Sequence, residues 1–124
     1  MKEVLTKYPQ EKVHFVNIDV EGWEEQVISS FDFGLVRPEV FVIESTEPTT
    51  IIATQHLWEK HFLNNNYAFA MTDYLNRYYI DTQSKNVTML LQKFNFIDLC
   101  VRQDKVQRGL IPTSNYQGFL TKAP

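Results

Sequence analysis

Asp19 and Glu21 are the residues whose type and spacing most directly offer chemistry. They lie in VHFVNIDVEGWEE, residues 13–25, where an apolar run ends in Asp-Val-Glu-Gly and passes straight into a helical pattern. Two positions apart on an extended backbone, the two carboxylates can point the same way. Such a pair can orient a hydroxyl, act as a general base or bind a hard cation. Acids are also favoured near the positive end of a helix dipole, so Glu21 can equally serve the start of the following helix. Gly22 suits a tight turn or the close approach of a ligand. A third carboxylate, Glu44, closes a second apolar run. It meets Asp19 if the two strands are neighbours; otherwise it bonds to local backbone.

A second polar group follows. Asp73, Asn76 and Arg77 lie among Tyr67, Phe69, Tyr74, Tyr78 and Tyr79. Ring faces with amide and carboxylate groups suit sugar or polyol recognition. The same residues suit a hairpin turn in which Asp and Asn bond their own backbone, and composition alone favours the turn. The three histidines form no metal-binding spacing: His56 and His61 are off the same-face interval of four. Cys100, in the apolar FIDLCV, reads as a small buried hydrophobe. The four glycines are isolated, so no glycine-rich turn follows a strand to cradle a nucleotide.

The elements that must position these groups can be read from periodicity. Residues 2–7 read as the end of a helix, closed by Tyr8-Pro9. Residues 14–20 read as a strand. Trp23, Val27, Ile28 and Phe31 recur at helical spacing over 23–31. The run 40–43 reads as a strand covered on both faces. Residues 55–65 read as a helix stopped by three asparagines. Residues 67–71 and 77–80 read as paired strands. A helix over 85–94, capped by Ser84, comes next. Strand–helix alternation implies parallel pairing, and the later close-spaced strands imply an antiparallel edge pair. The expected fold is therefore α/β with three layers, over a domain spanning 1–101, with a poorly determined tail over 102–124.

The chain has 124 residues, a net charge of −3 and 44% hydrophobic residues, which is enough for one small packed domain. No basic stripe appears, which argues against nucleic acid. No apolar run reaches membrane-spanning length, and no membrane partner is expected. A single cysteine and a charged, polar start point to a reducing, cytoplasmic setting.

Three motifs in order, IDVEG at 18–22, RPEVFVIE at 37–44 and Asp73, Leu75, Asn76 and Arg77 before an aromatic strand, resemble the FkbM family of S-adenosylmethionine-dependent methyltransferases. Ile43 stands where that family has valine, and Tyr74 where it has glycine. The resemblance spans about residues 1–101 and implies the carboxyl-terminal half of a Rossmann-like class I methyltransferase. It implies methyl transfer to a hydroxyl of a sugar, glycan or natural product. Asp19 would be the base or acceptor-orienting group. Glu21 and Glu44 would support it or share a divalent cation, and Asp73, Asn76 and Arg77 would face the acceptor. The family's glycine-rich cofactor loop has no counterpart in this sequence, so a truncated domain, a complementing amino-terminal half or self-association through an uncovered sheet edge is expected. A non-catalytic carbohydrate-binding module, or relic of a methyltransferase, is the alternative. A metal-dependent hydrolase using Asp19, Glu21 and Glu44 is a third and weaker one.

Overall fold

The structure is a computed structural model and describes residues 2–7 and 12–110. Its elements are α1 (Lys2–Lys7), β1 (Phe15–Ile18), α2 (Glu24–Ser29), β2 (Val40–Glu44), α3 (Gln55–Leu63), β3 (Tyr67–Thr72), β4 (Asn76–Asp81) and α4 (Val87–Gln107). The four strands form one sheet in the order β1-β2-β4-β3. β1 and β2 are parallel, with Ile18 opposite Ile43. β4 runs antiparallel to both β2 and β3. This mixed α/β sheet, with its parallel pair and antiparallel edge pair, is compatible with a partial Rossmann-like methyltransferase fold.

Alternation along the strands explains the layers. Phe41 and Tyr79 are cross-strand partners and so share a face. On that face Phe62 of α3 stacks on Tyr79, with ring centroids 4.6 Å apart, and Trp58 meets both rings edge-on. Ile18, Ile28, Phe31, Phe33 and Tyr67 complete this core. On the opposite face Tyr78 packs against Phe94 of α4 at 5.6 Å. β2 is covered on both sides, and Val40, Phe41, Val42 and Ile43 are all buried. The continuous apolar run reflects that double coverage.

Two ion networks fasten the ends of these elements. Arg37 donates to both carboxylate oxygens of Asp81, the shorter contact being 2.6 Å, and to the Asn65 carbonyl at 3.0 Å. Glu39 accepts from His14, Ser84 and Asn86 and pairs with Lys12. The His14 hydrogen bond, followed by those from Ser84 and Asn86, holds the Glu39 carboxyl down at about 2.

Four local expectations change. Trp23 is the N-cap residue of α2 and is 65% exposed, so it lies off the buried stripe; the helix itself ends at Ser29, before Phe31. Ser84 is not a helix cap. It accepts from the Asn86 amide and donates to Glu39, and α4 starts at Val87 after Asn86. α4 also runs to Gln107, well past residue 94. Its last turns carry the pairs Asp98–Arg102 and Asp104–Arg108, so i,i+4 charge spacing extends it where apolar periodicity stops. Cys100 lies on this helix and is exposed, not buried. The Tyr8-Pro9 stop and residues 111–124 of the expected tail lie outside the described residues. Among those described, no helix is long and apolar enough to cross a membrane.

Candidate functional site

The site is built where β1 and β2 end. Because Ile18 and Ile43 are paired in a parallel ladder, the next residues, Asp19 and Glu44, emerge side by side. The chain then turns at once. Glu21 and Gly22 take φ of 52° and 96°, and the Trp23 amide closes on the Val20 carbonyl at 3.3 Å. Two central residues with positive φ define this tight turn and account for Gly22. The Gly22 position is set by backbone conformation rather than by crowding, since a Cβ there would meet Pro48 at an ordinary 3.6 Å.

Glu24 holds the turn from below. It is 3% exposed, and its Oε1 accepts from the amides of Val20 and Gly22 at 3.0 and 3.3 Å. Its place in the first turn of α2 is the signal that marks it, though it was not among the expected site residues. The turn delivers Glu21 beside the strand ends. Carboxylate oxygens of Asp19, Glu21 and Glu44 all lie within 4.8 Å of one another. Asp19 and Glu21 are exposed and Glu44 is half-buried, with Oε2 enclosed and lacking a hydrogen-bond partner among the described residues. Burial first, then the Asp19 carboxylate, and then Glu21 and Glu24 push the Glu44 carboxyl up to about 7. Like charges this close favour the protonated form of Glu44.

The second group of expected residues sits at the same end of the sheet. Asn76 is the cross-strand partner of Glu44, and the Ser45 amide and hydroxyl both donate to the Leu75 carbonyl. Within the turn, Asp73 accepts from the amides of Leu75 and Asn76, the Asn76 side chain and the Tyr78 hydroxyl. Those bonds hold its carboxyl below the usual range in spite of burial. Tyr74 takes φ 78°, the conformation that glycine adopts without strain. Arg77 donates to Glu59 at 2.9 Å and to the Tyr79 hydroxyl at 3.0 Å, and it lies 4.0 Å from the Phe69 ring centroid. Asp19 and Glu21 are therefore open, whereas Asp73 and Arg77 are engaged with their own neighbours.

A cavity of about 420 Å³ opens beside the carboxylate turn, with Gly22, Glu24, Pro48, Thr54 and Trp58 in its lining. A bridge between Thr46 and Ala53 folds the β2–α3 connection back on itself and brings Glu47 and Pro48 over the cavity. Neither Thr54 nor Trp58 carried a sequence signal, because each reads as an ordinary helix-start or core residue.

No curated protein and no solved structure matches the chain. A family model described as the methyltransferase FkbM domain matches residues 1–97, which contain β1 to β4 and both groups of site residues. The chain belongs to the FkbM methyltransferase domain family.

Proposed function

We propose that this chain carries the acceptor side of an O-methyltransferase that uses S-adenosylmethionine and acts on a hydroxyl of a sugar, glycan or natural product. One observation carries this reading: Asp19 and Glu44 emerge together from adjacent parallel strands, with the Glu44 carboxyl near 7. Ligands of open α/β sheets bind beyond the carboxyl ends of the strands. When bound, the cofactor supplies an electrophilic methyl group. Asp19 accepts the proton of the acceptor hydroxyl as its oxygen attacks, and a protonated Glu44 hydrogen-bonds to Asp19 and keeps that carboxylate oriented. General base catalysis of this kind contributes about 10² to 10⁴ in rate. Asn76, paired to Glu44, sets the acceptor's far side with Asp73 and Arg77, which act through the geometry of the turn.

The residues present fit only part of the cofactor. Anionic strand ends suit a positive sulfonium, but no described strand leads into a glycine-rich turn for the adenosine end. Strands that continue the sheet beyond β1 would hold that end, as a complementing half-domain. β1 pairs only with β2 among the described residues, and Phe15 on it is 58% exposed. The same edge favours self-association when it is uncovered. A divalent cation shared by Asp19, Glu21 and Glu44 is a second reading, which the proximity of their oxygens supports. A cytoplasmic setting goes with the lone cysteine.

The test is complementation with the amino-terminal half of an FkbM domain, followed by transfer of labelled methyl groups. Transfer that falls about 100-fold or more in Asp19→Asn supports the base role. A complex that binds cofactor and transfers methyl groups equally well with Asp19→Asn contradicts it. Sugar binding without transfer identifies a non-catalytic binding module, and activity lost to a chelator and restored by magnesium identifies the cation.

A further inference from the structure

α4 carries a second apolar face that the fold does not use. One side of the helix is spent on the sheet, where Phe94 packs on Tyr78 and Lys105 lies 5.4 Å from the Tyr74 ring. Phe96 follows two residues after Phe94, about 200° around the helix, and so points away from the sheet. It is 69% exposed. Met89 and Ile97 are exposed beside it, and with Gln92 and Lys93 they line a shallow groove of about 450 Å³. Cys100 continues the same face and is also exposed. The intervals between Met89, Lys93, Phe96 and Cys100 (four, three, four) are those of a seam between two helices. An exposed apolar stripe of this kind marks an interaction surface. It lies against β3 and β4, at the far side of the sheet from the β1 edge.

We propose that a second copy of this chain covers the stripe, with the two α4 helices antiparallel about a two-fold axis. The charges on the stripe select this occupant. Lys93 and Asp104 lie along it three turns apart and have opposite signs. A two-fold interface requires self-complementarity, each residue meeting its counterpart from the other end. In the antiparallel pair Lys93 of each copy faces Asp104 of the other, and Ile97 faces Cys100 next to the axis. A parallel pair would set lysine against lysine and aspartate against aspartate, which is repulsive. Asp104 already accepts from Arg108, but that pair is exposed and leaves the carboxylate open to a second cation. One helix of about 31 Å from each copy makes an interface at the small end for specific complexes, so a dissociation constant of about 10–100 µM is expected.

Sedimentation velocity on the full chain, over about 1 µM to 1 mM, reads the association. Phe15→Glu serves as the background, because a charge on the β1 edge suppresses pairing through that edge. The mass should rise from monomer to dimer across this range. Phe96→Glu should raise the dissociation constant by about 30-fold or more. Lys93→Glu and Asp104→Lys should each raise it by about three- to tenfold, and the double variant should restore it. Circular dichroism that matches the parent shows that each variant is folded. The two Cys100 Cα atoms lie about 10 Å apart in this arrangement, so a short bis-maleimide should link the copies. A chain that stays monomeric to the top of the range, or a dimer indifferent to Phe96→Glu, overturns the proposal. A charge-swapped double variant that is no tighter than the single variants overturns the antiparallel register. Neither result involves methyl transfer, which stands or falls separately.

Discussion

Replacing Glu44 by glutamine should stabilise the fold at alkaline pH and hardly change it in acid. The wild-type carboxyl titrates near 7 in the folded chain against 4.5 when unperturbed. Between those values the folded chain keeps a proton that the unfolded chain has released. The stabilisation from that proton is complete below pH 4.5 and is lost as pH rises through 7. At 1.36 kcal/mol per pH unit, the ceiling is about 3 kcal/mol. Solvent reaches the cluster through exposed Asp19 and Glu21, and screening reduces this to about 1–2 kcal/mol. Glutamine keeps the shape and cannot ionise next to Asp19, Glu21 and Glu24. Urea unfolding at pH 4.5 and pH 8 measures the difference, provided that the slope m is unchanged. Expected is a gain of about 1–2 kcal/mol for Glu44→Gln at pH 8 and a change within about 0.5 kcal/mol at pH 4.5. An equal effect at both pH values, or a loss at pH 8, would show that Glu44 does not carry the strain of the cluster.

Three further outcomes follow from the geometry. Gly22→Ala should cost about 1–2 kcal/mol in thermal or urea unfolding, since φ 96° excludes a Cβ conformation although Pro48 leaves room for one. Tyr74→Gly should gain about 0.5–1 kcal/mol by relieving φ 78°, less whatever the Lys105 ammonium draws from the ring 5.4 Å away. Glu39 should dominate the acid limb: its folded carboxyl lies near 2 against 4.5, so its contribution is intact above pH 4.5 and is lost as pH falls towards 2. Glu39→Gln should flatten that limb in a pH series of melting temperatures.

The parallel pair was legible because the apolar pattern expected as a strand over 14–20 and the run 40–43 both bring an acid to the strand's carboxyl end, Asp19 and Glu44, and neighbouring parallel strands bring those acids together. The turn at Asp73 was legible for the same local reason: Asp and Asn at that spacing bond their own backbone. Trp23 misled because its helical spacing to Val27 says nothing of the turn that places it at the N-cap. The length of α4 was hidden because its last two turns rest on charge pairs, with Met89, Phe96 and Ile97 left exposed. The cavity was not legible at all. Thr54 and Trp58 acquire meaning only when the 47–53 loop folds back over α2, a contact between segments far apart in sequence.

The pH dependence of methyl transfer by the complemented domain tests the carboxylate pair most directly. With a protonated Glu44 orienting the Asp19 base, kcat/KM should fall as pH rises through about 7, and that limb should be absent in Glu44→Gln, which keeps a hydrogen-bond donor but does not titrate. A rate that is flat from pH 5 to 8, or a limb that stays in place when Glu44 is replaced, would contradict proton transfer at this site.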